Sequence, residues 1–129
     1  MSFSEQLIAW RRELHQNPEL SGQEVETTAR LREWLTAAGI APLDYDLQTG
    51  LVAEIGTGNA LVALRADIDA LPIDERSGVP FSSRRAGVMH ACGHDIHTSV
   101  ILGAALKLKE REASLNGRVR ILFQPAEEN

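Results

Sequence analysis

The sequence is short of the features that commit a chain to the cell surface, the membrane or nucleic acid. Its 129 residues include a single cysteine, so no internal disulfide forms. That agrees with a reducing compartment and leaves Cys92 free for metal or catalytic chemistry. No run approaches the roughly 18 apolar residues of a membrane span, and Met1-Ser2-Phe3-Ser4-Glu5 lacks the basic-then-apolar order of a signal peptide. The expected location is therefore the cytoplasm, with no membrane partner. Basic residues number 13 against 18 acidic ones, and they form no cluster, which argues against nucleic acid as a partner. No internal repeat, low-complexity tract or linker divides the chain, and its length is that of one domain. Hydrophobic residues make up 43%, an ordinary share from which a core can be built.

What is present alternates between helical and extended periods. Phe3, Leu7, Trp10 and Leu14 form the apolar stripe of a helix that should end near Asn17-Pro18. A second helix is predicted from Ser21 and Glu24 as an S-x-x-E capping box, with Leu20 and Val25 as its staple. Thr28, Leu31, Leu35 and Ala38 give that helix a buried side, and Gly39 is a natural left-handed stop. Beyond Pro42 the runs 51–55 and 60–64 read as two strands joined by a tight turn at Gly56-Thr57-Gly58-Asn59. The second run is apolar throughout, as expected of a strand buried on both faces. Residues 73–88 read as an irregular loop. Ile101, Ala104, Ala105 and Leu108 make another helical stripe, with Asp95 or Thr98 as its cap. Asn116-Gly117 then turns into a strand in which Val119, Ile121 and Phe123 alternate with Arg118, Arg120 and Gln124. The alternation predicts an α/β fold, a layered sheet flanked by helices.

Chemistry concentrates in Met89-His90-Ala91-Cys92-Gly93-His94-Asp95-Ile96-His97, which holds three of the four histidines and the only cysteine. In an extended backbone Cys92 and His94 share a face, placing a thiolate beside an imidazole. Both are good donors to first-row transition metals. Asp67 and Asp69, spaced to face one cleft, follow a predicted strand, and Glu127 and Glu128 follow another; ligands of α/β sheets gather beyond such strand ends. A solvated turn is the plain alternative for the two aspartates. His90 and His97 are either residues that orient a ligand or plain helix-end residues. If the Glu127-Glu128 stretch is extended, its two side chains point apart, one toward a metal and one toward a substrate water. Metal-assisted hydrolysis needs that division: the metal lowers the pKa of a water, and a carboxylate off the metal takes its proton.

Taken together, Arg65-Ala66-Asp67-Ile68-Asp69-Ala70-Leu71-Pro72, Met89-His90-Ala91-Cys92-Gly93-His94-Asp95 and Phe123-Gln124-Pro125-Ala126-Glu127-Glu128 resemble the metal-dependent N-acyl-amino-acid amidohydrolases. That group includes hippurate hydrolase and the plant auxin-conjugate hydrolases. Arg11-Arg12-Glu13-Leu14-His15-Gln16-Asn17-Pro18-Glu19-Leu20-Ser21 is similar to the family's opening, so the resemblance covers nearly the whole chain. It implies a catalytic domain related to aminoacylases and carboxypeptidases, with two divalent ions (zinc, manganese or nickel) and a small N-acyl amino acid as substrate. On this analogy Cys92, His94 and Glu128 are ligands and Glu127 is the general base. Asp69 matches the acid that orients a metal-bound histidine, and Asp67 stands at the ligand position two residues earlier. Asp95 matches a bridging carboxylate of the wider clan, a duty the cysteine takes over in this branch.

Family members are much longer, with further metal-ligating histidines after the Glu-Glu pair and an inserted domain. Residues 1–129 are therefore expected to be the N-terminal part of the catalytic domain, without the lid and inactive alone. Such a piece leaves sheet edges uncovered, which favours homo-oligomers. The alternative is a truncated, non-catalytic metal-binding or interaction module. A nucleotide-binding domain is disfavoured, because Gly56-Thr57-Gly58 lacks the phosphate-binding spacing.

Overall fold

A computed structural model describes all residues, 1–129. The first helix, α1 (Phe3–Gln16), opens with a capping box in which Ser2 and Glu5 exchange side-chain and backbone bonds, and it closes at Asn17. Its stripe buries Trp10 and Leu14, and Trp10 stacks on Trp34 with ring centroids 5.0 Å apart. Trp34 belongs to α2 (Val25–Ala37), which stops before Gly39 at φ 78°. The third helix, α3 (His94–Glu110), packs against α1. Gly103 permits this approach, because a Cβ there would come within 2.8 Å of the Leu7 side chain.

The sheet has three strands, β1 (Leu51–Gly56), β2 (Leu61–Asp67) and β3 (Arg118–Gln124), in the order β1-β3-β2. The expected hairpin does not form. The strands do reverse direction at 57–60, but β3 lies between them, antiparallel to β1 and parallel to β2. Close backbone contact makes room for it: a Cβ on Gly56 would sit 2.3 Å from the Gly117 carbonyl oxygen. The Arg118 N–H donates to the Ala60 carbonyl at 2.8 Å, so the link between β1 and β2 wraps around the start of β3. The parallel pair needs a long crossover, which residues 68–117 supply.

Burial follows this topology. Leu51, Ala53 and Ile55 alternate inward on β1 and meet Ile121 and Phe123 of β3, Leu31 and Leu35 of α2, and Leu102 and Ala105 of α3 in one core. The second strand is not buried on both faces as its apolar run predicts. It is an edge strand, with Leu61 45% and Val62 62% exposed, and only Ala66 and Asp67 at its end are buried.

The predicted capping box of α2 is also replaced. Ser21 and Glu24 make bonds elsewhere, and the Glu19 carboxylate accepts from the Glu26 and Thr27 N–H groups at 3.1 and 2.6 Å. Nor does Asp95 or Thr98 cap α3. The helix starts at His94 directly after Gly93, whose φ of 81° makes the turn, and the Thr98 hydroxyl instead donates to the Asp67 carbonyl at 3.0 Å.

Candidate metal centre

The ends of β2 and β3 and the start of α3 meet at one edge of the sheet, and His94 stands where they meet. Its ring is 2% exposed. Nδ1 faces the Asp69 carbonyl oxygen at 2.8 Å and the Asp69 carboxylate at 3.0 Å. Both partners only accept, so Nδ1 carries the proton and Nε2 keeps its lone pair. Around Nε2 stand Glu128 Oε1 at 3.3 Å, Asp67 Oδ2 at 3.5 Å and Glu127 Oε2 at 3.7 Å. Three overlapping sets, Cys92-His94-Glu128, Asp69-His94-Glu127 and Asp67-His94-His97, each bring one donor atom per residue within 4.8 Å of the others.

The surroundings hold these groups in place. Asp69 accepts from the Ser21 hydroxyl at 2.7 Å and from the Glu128 N–H at 2.9 Å. Burial pushes the Asp69 carboxyl up, but those hydrogen bonds more than offset it, and its pKa lies below the usual range. Asp67 behaves alike: burial raises it, and the bond to His97 Nδ1 at 2.7 Å with the nearby His94 brings it down. Cys92 is exposed, and its thiol is pushed up first by its hydrogen bond to Glu128 and then by desolvation.

Cys92, His94, Glu127, Glu128, Asp67, Asp69 and His97 thus come together, although not by the backbone expected of them. Cys92 and His94 are related by the Gly93 turn rather than by an extended strand. The Glu127-Glu128 stretch is a turn, so both side chains swing toward the same imidazole instead of opposite ways.

Asp95 and His90 do not join them. The Asp95 carboxylate accepts from Arg11 Nε at 2.9 Å and faces His15 Nδ1 at 2.8 Å, while His15 Nε2 faces Glu75 at 2.9 Å. His90 is buried with neither ring nitrogen partnered, and desolvation lowers its pKa to about 4. From sequence, Ser21, Glu24 and Thr98 read only as helix caps and Ala126 has no role, yet all four touch the site's framework. Ser21 lies within the opening stretch that is similar to the family, the local signals of Glu24 and Thr98 point to helix caps rather than to the site, and Ala126 carries none.

The donor set suits a first-row divalent cation. One thiol, one imidazole nitrogen with a free lone pair and several carboxylates are the ligand types such ions take. Asp67, Asp69, Glu127 and Glu128 crowd this imidazole, and Arg65 on Asp67 is the one arginine or lysine paired with them. So much negative charge held together is costly without a compensating cation.

The fold is thus an α/β framework that delivers a Cys/His/carboxylate cluster, the donor types of a metal site, to the ends of its strands. The chain belongs to peptidase family M20/M25/M40, whose profile matches residues 63–129. It is 53% identical over 129 residues to an N-acetyl-L-cysteine deacetylase of Bacillus subtilis, covering 98% of this chain and 31% of that protein. An IAA-amino acid hydrolase of Arabidopsis thaliana is 46% identical over 127 residues, with 98% of this chain and 29% of that protein covered. Among solved structures, a Bacillus subtilis protein described as a dinuclear metal binding peptidase from the M20 family superposes with a TM-score of 0.96 at 53% identity. That match covers 98% of this chain and 36% of the other. The chain thus spans about a third of the length of the curated relatives it matches.

Proposed function

We propose that residues 1–129 are the N-terminal part of the catalytic domain of a metal-dependent amidohydrolase. Its reaction would be cleavage of the amide bond of N-acyl amino acids, hippurate-like compounds among them. The observation that carries this reading is the convergence of Cys92, His94 and Glu128 within 4.8 Å, with Glu127 beside the same imidazole nitrogen. The relatives support it from outside, since both named enzymes act on amides of amino acids by their descriptions.

In this reading Cys92 Sγ, His94 Nε2 and a Glu128 oxygen hold divalent ions, zinc, manganese or nickel, two in the complete enzyme. Bound ions supply Lewis acidity for the acyl carbonyl and a water of lowered pKa. Asp69 fixes the His94 tautomer through Nδ1. Glu127 takes the proton from water as its oxygen adds to the acyl carbon, then delivers that proton to the amine nitrogen as the C–N bond breaks. The products are a carboxylic acid and a free amino acid. Asp67, paired with His97, stands 3.5 Å from His94 Nε2 and would be a further carboxylate donor.

The test uses the whole protein. Glu127→Gln is expected to abolish hydrolysis of N-acetyl and hippurate-type substrates while metal content stays unchanged. Metal lost in step with activity would remove Glu127 from the role of base.

A further inference from the structure

Glu24 is 0% exposed and has no cationic partner. A buried carboxylate without a counter-charge is costly unless hydrogen bonds repay it, so its presence needs a reason. Helix α2 does not supply one, because Glu24 makes no side-chain cap there and Glu19 accepts from the helix N–H groups instead. The carboxylate points toward the end of β3. It accepts from the Ala126 N–H at 2.6 Å and from the Thr49 hydroxyl at 3.3 Å.

Ala126 is the one non-glycine residue with positive φ, at 54°, and it directly precedes Glu127 and Glu128. A left-handed alanine persists only where its surroundings over-determine it. The rest of the clamp also starts from Glu24: its carbonyl accepts from the Thr28 hydroxyl at 2.6 Å, and that hydroxyl accepts from the Gly50 N–H at 2.9 Å. Gly50 in turn lies against Pro125, where a Cβ would be 2.7 Å from the proline ring.

We infer that Glu24 is a positioning residue: by holding the Ala126 N–H it keeps the turn after β3 left-handed and so aims Glu127 and Glu128 at His94 Nε2. The inference rests on the metal-site reading for its consequence, though not for its geometry. With the anchor gone, Ala126 relaxes toward negative φ and the two carboxylates leave the imidazole.

The experiment compares the chain with Glu24→Ala, Glu24→Gln and Glu24→Ala/Ala126→Gly, reading amide exchange by NMR and zinc affinity by calorimetry. Glu24→Ala is expected to lose protection at the Ala126 amide and about 10- to 100-fold in zinc affinity, the range for residues that orient metal ligands. Amides of β1 and β3 should exchange as before. Glu24→Gln, whose side-chain oxygen can still accept, should stay within a few-fold of the parent. Glycine at 126 should recover the affinity lost in Glu24→Ala, because it adopts the turn without strain. An unchanged Ala126 amide in Glu24→Ala overturns the inference. So does a loss spread evenly over β1 and β3, which would mark a general core role. If the parent chain binds no zinc, the metal reading falls, and exchange at Ala126 alone decides the place of Glu24.

Discussion

At the scale of single residues, the site is a matter of which nitrogen of His94 is free. Asp69 takes Nδ1 through both its carbonyl and its carboxylate, which leaves Nε2 in the ring of Asp67, Glu127 and Glu128. Asp69→Asn should therefore loosen the ring and lower zinc affinity by about 10- to 100-fold, measurable by competition with a chelating dye; an unchanged affinity would mean that the backbone carbonyl alone orients the imidazole. Most of these residues were legible beforehand because their types and local spacing are unusual for a core. Glu24 and Ala126 were not, since their bond joins positions far apart in the chain, and neither residue type is remarkable in its own neighbourhood. Asp95 sits inside the richest motif, yet Arg11 and His15 from α1 claim its carboxylate and it stands apart from the cluster around His94.

At the scale of elements, strand and helix existence could be read from periodicity, but partners could not. The pattern S-x-x-E occurs at Ser2–Glu5 and at Ser21–Glu24, and only the first forms a capping box. At the second, tertiary bonds to Asp69 and Ala126 win both side chains. Glu19→Ala should consequently destabilise the fold by about 0.5–2 kcal/mol, the cost of losing a helix cap, as read from urea midpoints; a smaller effect than that of Ser21→Ala would contradict the assignment of the cap.

The loop following β2 is tied down by Glu75, whose side chain is 3% exposed. Burial pushes its carboxyl up, but bonds with Ser77, His15 and the Ser83 N–H prevail and bring it from 4.5 to about 2. A depressed folded-state pKa contributes stability above the unfolded value and loses it as pH falls toward the folded one. Glu75→Gln should thus be less stable than the parent near neutrality, with the gap narrowing as pH drops from 4.5 to about 2. A gap that does not change over that window would show that the ionised carboxylate contributes nothing.

At the scale of the whole molecule, the sheet ends on one side at β2, whose outer edge pairs with no strand and exposes Leu61 and Val62. Such an edge invites pairing with another chain. The 129-residue chain is expected to self-associate with rising concentration in light scattering, and Val62→Lys should reduce that association; equal behaviour of the two would place any contact elsewhere. The apolar run of β2 suggested a strand covered on both faces, and its exposure follows from its place at the edge. That place depends on β3, which arrives about fifty residues later in the chain.

If the three segments that meet at His94 form one divalent-metal centre, the chain should hold metal through Cys92 and His94. Elemental analysis of zinc or manganese bound per chain, against a Cys92→Ala/His94→Ala control, tests it most directly. Stoichiometric metal is expected in the parent, and its loss in the control. Equal metal in the two would contradict it.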